Sequence, residues 1–296
     1  MTERNAAPRS RDSWRVSGSV ALQTHGQTSR VYVPILRKIF AGKYREGAVA
    51  IEFDLDDIRK ASEDLGIVVR NPADLVYRMR SRTVLPKEIL DAGFYVLRQV
   101  GRGKYRLEKA TSTIIEVPET EPQQALDLTP LPVRRLLPEA LAEFDEQALL
   151  TVVNYCKLLD HFTSLTVYRL RSHVRKSVVG IGQAELDELD VGVAISDDEI
   201  PIVFPIEAKA APDAINRVQI AAMVAFTDDY FPGYKVRPLV VKVTRDSLVH
   251  CIEFNATKEP AELKVLRAQS YRLAPTKKQL EAIRQSAVKV IRQVSE

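Results

Sequence analysis

The chain has 296 residues, of which 45% are hydrophobic and 28% are charged. This length and composition indicate a globular protein with room for two separate cores. Cys156 and Cys251 lie far apart among apolar residues, which argues against a disulfide framework or a paired-cysteine metal site. The sequence has no apolar run near the roughly 18 residues of a membrane span, and its amino terminus has no apolar stretch. We therefore expect a cytoplasmic protein that does not enter a membrane.

Positive charge is concentrated in the first third of the chain. Residues 1–110 hold 21 Lys and Arg against 13 Asp and Glu, a balance of +8, whereas the rest holds 22 against 26, a balance of −4. A basic segment attracts polyanions, and nucleic acid is the commonest of these. The alternative is an ordinary solvated basic surface.

The first 116 residues predict a tail, three helices and a hairpin. Residues 1–17 are polar and rich in Arg and Ser, which is typical of a disordered segment. Helical spacing, capping residues and glycine stops predict three helices that begin near Val31, Asp54 and Pro72. The stretch FYVLRQVGRGKYRLEK has β-prone residues on both sides of a Gly-Arg-Gly turn, which predicts a hairpin. Three helices followed by a hairpin is winged-helix order, and we assign such a domain to residues 18–116.

The predicted third helix and hairpin are strongly basic. Residues 76–109 contain nine basic and three acidic residues. Guanidinium and ammonium groups contact phosphates and guanine edges in the major groove, so we predict that this domain binds double-stranded DNA. The predicted DNA-contacting residues are Arg78, Arg80, Arg82, Arg98, Arg102 and Lys104. Alternatively, the domain is a protein-protein module whose arginines are merely solvated.

The rest of the chain predicts a linker and a second domain. Residues 117–138 contain five prolines and no sustained periodicity, which favours an extended linker. A helix is expected after Pro138, and several strands rich in Val and Ile follow. Residues 139–296 are therefore expected to form a mixed sheet flanked by helices, which gives an α+β or α/β protein.

Acidic residues crowd the start of one predicted strand. Glu185, Asp187, Glu188 and Asp190 lie at or just before the start of LDVGVAI, and a polar turn then leads to the predicted strand IPIVFPI. Carboxylates this close repel one another and lose hydration on burial, which favours a divalent cation that neutralises them. Pro201 and Pro205 interrupt the second strand, and a paired strand accepts proline only at its start, at an edge or at a bulge.

Glu207 and Lys209 lie two residues apart and so point to one face of the second strand. Strands lie roughly 4.8 Å apart, so Glu207 and an acid of the first strand can share Mg²⁺. Such an ion activates water and polarises a phosphoryl oxygen, while an ammonium stabilises developing negative charge. From the alternation we prefer Asp187 as the partner of Glu207, with Glu188 second. The alternative is a surface hairpin with solvated ion pairs.

The order of Asp187, a gap of about twenty residues, and Glu207-Ala208-Lys209 resembles the PD-(D/E)xK restriction-like nucleases. The hairpin sequence is also similar to that of restriction-type endonucleases with amino-terminal winged helices. The nuclease resemblance covers roughly residues 140–255 and implies a restriction-endonuclease-like fold. It implies that Asp187 and Glu207 bind Mg²⁺ and that Lys209 assists the attacking water.

The resemblance further implies two supporting residues, Glu146 of the preceding helix and Gln219 of the following one. We expect a Mg²⁺-dependent endonuclease that hydrolyses duplex DNA in restriction or defence. A homodimer is expected, because one such centre cleaves one bond at a time. The alternatives are a non-catalytic DNA-binding regulator with a nuclease-like dimerisation domain, and an RNA-processing nuclease.

Overall fold

The computed structural model describes residues 18–81, 84–178, 180–193 and 201–273. These residues form a mixed α and β protein with one large mixed sheet and helices against it, so the predicted class is confirmed at that level. None of the described helices is both long and apolar enough to cross a membrane. The predicted tail, residues 1–17, and Arg82 lie outside the described residues, as does the side chain of Arg80.

The amino-terminal part contains four helices and three strands. They are α1 (Gly18–Lys43), β1 (Ala50–Asp54), α2 (Leu55–Asp64), α3 (Pro72–Ser81), α4 (Lys87–Asp91), β2 (Phe94–Gly101) and β3 (Lys104–Lys109). The strands form an antiparallel sheet in the order β1-β3-β2. Asp54 caps α2 with a full capping box, which is why the chain turns from strand to helix there. The sequence did not predict β1 or α4.

One apolar core holds this part together. Residues from every one of its helices and strands meet in it, including the fully buried Leu36, Ile58, Leu75, Phe94 and Leu107. Burial of five such side chains stabilises the part by roughly 1.5–3 kcal/mol each. The β2–β3 hairpin is therefore fixed to the helices through its inner face.

The predicted linker, residues 117–138, is not a free tether. After β4 (Ile114–Ile115), strand β5 (Gln123–Ala125) pairs in parallel with the last strand of the large sheet, and α5 (Leu131–Arg134) follows. Thr120 Oγ1 donates a 2.7 Å hydrogen bond to Ser270 Oγ. A proline-rich segment can join a sheet at its edge, because one side of an edge strand needs no ladder hydrogen bonds.

The remainder of the described chain builds the large sheet and its helices. The elements are α6 (Glu146–Tyr155), α7 (Leu158–Thr163), β6 (Thr166–Val178), β7 (Gly182–Val193), β8 (Ile202–Lys209), β9 (Ile215–Asn216), α8 (Arg217–Tyr230), β10 (Lys235–Val236), β11 (Leu239–Val243), β12 (Val249–Phe254) and β13 (Val265–Leu273). The strand order is β5-β13-β12-β11-β8-β7-β6, with β10 beside β8. Strands β6, β7 and β8 are antiparallel neighbours, whereas β8 and β11 are parallel.

The two faces of β8 meet different parts of the protein. Phe204, Ile206 and Ala208 belong to the core that includes α6 and α7. Glu207 and Lys209 occupy the alternate positions and so point to the other face, where α8 packs against β11 and β12 through a second core. The central strand thus carries apolar residues towards one helical layer and charged residues towards the other.

Strand β8 continues through Pro205 in the middle of the sheet. Strand β10 pairs with Ile202 and Val203, and β11 pairs only from Ile206 onwards. Pro205 falls in the gap between these two neighbours, where a missing backbone N–H leaves no ladder bond unmade.

Candidate active site

Asp187 and Glu207 come together where the backbone ladder between β7 and β8 ends. Paired positions run from Gly192–Ile202 to Glu188–Ile206. One step further the ladder is replaced by a side chain, because the Asp187 carboxylate accepts a 2.8 Å hydrogen bond from the backbone N–H of Ala208. Asp187 is therefore held beside the strand segment that carries Glu207 and Lys209.

The Glu207 carboxylate is the centre of this group. It is 3% exposed, its Oε1 atom contacts the Lys209 ammonium, and the Gln219 amide donates a hydrogen bond to the same atom. Four predicted residues, Asp187, Glu207, Lys209 and Gln219, are thus placed at one site.

Burial shifts the proton affinities of these groups. It raises the pKa of Glu207 to about 7, although the nearby Lys209 ammonium acts in the opposite direction. Burial also raises the pKa of Asp187, against the hydrogen bond from Ala208 and the charge of Lys209. Burial alone would lower the pKa of Lys209, but attraction to Glu207 outweighs it and the net pKa lies above its ordinary value. With all three ionised, two negative charges face one positive charge.

The chemistry of these donors fits Mg²⁺. The two carboxylates are hard oxygen ligands, and Mg²⁺ is commonly held by one or two carboxylates while it keeps several waters. Their raised pKa values mean that burial disfavours the negative charge, which a cation would neutralise. Within the described part of the chain no group of three or more His, Cys, Asp or Glu side chains could hold a metal ion. If Mg²⁺ binds at this site, Asp187 and Glu207 are the two carboxylates that would hold it, with waters completing its coordination.

The start of α8 positions Gln219. Asn216 caps this helix, since its Oδ1 accepts a 2.8 Å hydrogen bond from the backbone N–H of Val218. The cap places Gln219 in the first turn, beside the end of β8. An Asn that precedes an apolar helical run is a recognisable start signal.

Lys242 holds the segment that follows Lys209. It is 7% exposed, and its ammonium donates to the carbonyl oxygens of Ala210, Ala211 and Asp213 at 2.9, 3.2 and 2.6 Å. Lys242 on β11 is also the register neighbour of Lys209 on β8. Sequence reasoning missed it, although a lysine within the apolar strand LVVKV was a visible signal.

The other acids of the cluster lie elsewhere. Glu188, the second choice for the partner of Glu207, is 1% exposed and contacts Arg169. It pairs in register with Ile206, whose side chain lies in the core on the opposite face from Glu207. Burial raises the pKa of Asp190 to about 6, and exposed Glu185 forms an ion pair with Arg175. None of these three carboxylates contacts Glu207 in the described structure.

Glu146 also lies away from the site. It begins α6, whose Leu149 and Leu150 pack in the same core as Ile206 and Ala208. That core covers the face of β8 opposite to Glu207 and Lys209. The structure therefore does not bring Glu146 to the site.

His173 of β6 lies beside the site. It falls between the register pairs Ser172–Glu188 and Val174–Leu186, opposite Asp187, and its charge lowers the pKa of Asp187 against the larger effect of burial. Its backbone is left-handed, with φ 49°. A histidine in a run of arginines gave no distinct signal.

The predicted DNA-contacting residues fall into different environments. Arg78 donates a 2.7 Å hydrogen bond to Asp74 within α3. Arg98 is 12% exposed at its side chain and is neutralised by Glu108 at 2.7 Å and Glu259 at 2.5 Å. It therefore ties β2 to the carboxyl-terminal part instead of facing solvent. Arg102 and Lys104 are exposed at the hairpin turn.

Comparisons of the chain with protein-family models, with curated proteins and with solved structures found no match. The site consists of the buried carboxylate of Glu207, the half-buried carboxylate of Asp187, an ammonium group and an amide, gathered at the end of a strand ladder.

Proposed function

We propose that this protein is a Mg²⁺-dependent endonuclease that hydrolyses phosphodiester bonds of duplex DNA, in restriction or another defence role. The observation that carries the proposal is the convergence of Asp187, Glu207, Lys209 and Gln219 on one site. Acid, acid and lysine are the set expected for metal-assisted phosphodiester hydrolysis.

The order of elements supports the proposal. Apart from the short elements α7, β9 and β10, the chain order is a helix, three antiparallel strands, a second helix and a parallel strand: α6, β6, β7, β8, α8 and β11. This order is similar to the core of PD-(D/E)xK nucleases, with the acids on its second and third strands. The β1-β3-β2 sheet with its helices is likewise similar to a winged helix.

Each residue has a chemical role in the proposed reaction. Asp187 and Glu207 would hold Mg²⁺, which supplies Lewis acidity to the phosphate and a water of lowered pKa. Gln219 fixes the orientation of the Glu207 carboxylate through its hydrogen bond. The Lys209 ammonium, which contacts Glu207, would stabilise the charge that develops on a phosphate oxygen.

Exposed cations near the site support a polyanionic substrate. Strand β6 is an edge strand whose Arg171, Arg175 and Lys176 are all exposed. Glu185 raises the pKa of Arg175 through their ion pair, and Tyr77 of α3 adds a smaller electrostatic effect in the same direction. We propose that DNA lies along α3 and β6, with phosphates against these side chains. A cytoplasmic homodimer would supply the two centres needed to cut both strands.

The test is cleavage of plasmid and linear DNA in Mg²⁺ by the wild type, Glu207→Gln and Lys209→Met. Both substitutions keep the size of the side chain, and each is expected to lower the rate at least about 100-fold. Glu185→Gln is the matched control, because Glu185 is an exposed acid of the same strand as Asp187, and it should cut within a few-fold of wild type.

Two further measurements separate the alternatives. Fluorescence anisotropy should show equal DNA binding by wild type and Glu207→Gln. If no DNA is cut while binding persists, the protein is a DNA-binding regulator and the nuclease proposal is wrong. Duplex RNA in the same assay tests RNA processing, and sedimentation measures the proposed dimer.

A further inference from the structure

A cavity of about 510 Å³ opens beside Lys209, between the amino-terminal part and the large sheet. One wall comes from α3, α4 and β2 and includes Met79, Tyr95 and Leu97. The other wall carries Lys209, Gln219 and Asp213. The cavity thus joins an apolar wall to the two residues that contact Glu207.

The two walls offer complementary chemistry. Met79 and Leu97 are 2% and 1% exposed, so they give the cavity an apolar lining, and Tyr95 adds an aromatic ring. Across from them lie the Lys209 ammonium and the exposed carboxylate of Asp213. A ligand that fits both walls has a flat apolar face, hydrogen-bonding groups at its edge and a negative charge near Lys209. A nucleotide has all three.

The size of the cavity agrees with such a ligand. Cavities that bind small molecules typically measure roughly 300–1,000 Å³, and a base with its sugar fills the lower part of that range. A base that is paired and stacked in a duplex cannot reach a pocket of this kind. Enzymes with such pockets act on bases that have left the stack, and least energy is needed when the base is already unpaired.

We propose that this cavity receives an unpaired nucleoside of the DNA strand, next to the phosphate that lies at Lys209. The preferred substrate is then duplex DNA with an unpaired base beside the cleaved bond. Tyr95 stacks on the base, and Asp213 accepts a hydrogen bond from its exocyclic amine. This inference rests on the proposed nuclease function and adds a substrate class to it.

The experiment compares cleavage of three duplexes of one sequence in Mg²⁺. The first is fully paired, the second has a single bulged nucleotide, and the third has an abasic site at the bulge. Wild type should cut the bulged duplex about ten-fold faster than the paired one, which is the scale of one base stacked on an aromatic ring. The abasic duplex should be cut at the rate of the paired one.

Two variant pairs test whether the cavity is the cause. Tyr95→Leu removes the ring, whereas Tyr95→Phe keeps it. Ala214→Phe fills the cavity from an exposed position on its rim, whereas Ala214→Ser does not. The ten-fold preference should disappear in Tyr95→Leu and Ala214→Phe and persist in the two controls, while cleavage of the paired duplex stays within a few-fold of wild type.

The possible outcomes are distinct. Equal cleavage of bulged and paired DNA, or a preference that survives Ala214→Phe, overturns the inference and leaves the nuclease proposal standing. No cleavage of any duplex overturns both. A deoxynucleoside monophosphate is added to a binding assay in parallel. If this free nucleotide binds and Ala214→Phe abolishes its binding, while wild type shows no preference for the bulge, the cavity is a free-nucleotide site and the inference is wrong.

Discussion

At the level of single residues, Glu207 determines how the site responds to pH. Its carboxylate is buried and has three polar neighbours, Asp187, Lys209 and Gln219. Of these, Lys209 and Gln219 favour its charged form, whereas burial and Asp187 disfavour it. Because burial is the largest effect, the folded protein binds a proton at Glu207 more tightly than the unfolded chain does.

We predict that Glu207→Gln changes the pH dependence of stability in buffer with a metal chelator. The pKa of Glu207 rises from 4.5 to about 7 on folding. Its contribution is therefore fully present below pH 4.5 and lost as pH rises through 7. The variant should gain up to about 3 kcal/mol relative to wild type between these limits. Urea unfolding at pH 5 and pH 8 measures the gain, and parallel curves for the two proteins would contradict it.

Mg²⁺ is expected to stabilise the wild type through Asp187 and Glu207. At a concentration about 100 times its dissociation constant the gain is about 2.7 kcal/mol, read as a rise in Tm. It should be larger at pH 8 than at pH 6, because Glu207 must lose its proton to bind the ion. Asp187→Asn should remove the rise in Tm and Glu185→Gln should keep it. An equal rise in all three proteins would place the ion elsewhere.

At the level of elements, the site depends on where β7 and β8 stop pairing and on how β8 leaves the sheet. Asp187 takes over the bonding of Ala208 where the ladder ends. Lys242 then binds the three carbonyl groups of the segment after Lys209. Both contacts hold the end of β8 in place from neighbouring strands.

Lys242→Met is therefore expected to loosen the segment from 210 to 213 and misplace Lys209. The loss of hydrogen bonds from a charged donor should lower the free energy of unfolding by about 2 kcal/mol, with a larger effect on cleavage than on DNA binding. Lys235→Met, at an exposed position of β10, is the control and should change neither the stability nor the cleavage rate. Denaturant unfolding measures the change in stability, and single-turnover assays measure the change in cleavage rate. An unchanged cleavage rate in Lys242→Met would show that these hydrogen bonds are not needed to position Lys209.

The sequence predicted the features that local interactions determine and missed those that depend on residues far apart in the chain. Asp54 and Pro72 are local signals, and both helices begin where they predict. Two-residue spacing also predicted that Glu207 and Lys209 share a face. The partner of Glu188 could not be predicted. It is Arg169, which pairs in register with Asp190 next to a bulge in β6, and local sequence does not reveal that bulge. The pairing of β5 with β13 joins residues about 150 positions apart, and no local pattern encodes it.

At the level of the whole molecule, the basic residues of the hairpin have two different environments. Arg98 is enclosed between Glu108 and Glu259 and joins the two parts of the protein. Arg102 is exposed at the turn. Charge composition alone cannot distinguish these positions, because the distinction lies in which acids the fold brings near.

Arg98→Gln and Arg102→Gln should accordingly change different properties, stability in the first variant and DNA binding in the second. Loss of Arg98 leaves the buried Glu108 with only the longer 3.5 Å contact to Arg106 and should destabilise the protein by about 3 kcal/mol. Loss of Arg102 should leave stability unchanged, weaken DNA binding on all sequences and reduce the salt dependence of log Kd by about one unit. Urea unfolding and anisotropy at several salt concentrations measure both. If Arg102→Gln binds DNA like wild type, the hairpin turn does not contact the phosphates.

The short ladder between β4 and β9 joins the hairpin side of the protein to the helix that carries Gln219. Thr113 bonds through its side chain to Tyr95 of β2 and through its carbonyl to the backbone N–H of Arg217. Gln219 follows only two residues later. If DNA binds at β2 and shifts this strand, these contacts would carry the shift to the side chain that orients Glu207. By thermodynamic reciprocity, if bound DNA raises the affinity for Mg²⁺ by some factor, then bound Mg²⁺ raises the affinity for DNA by the same factor.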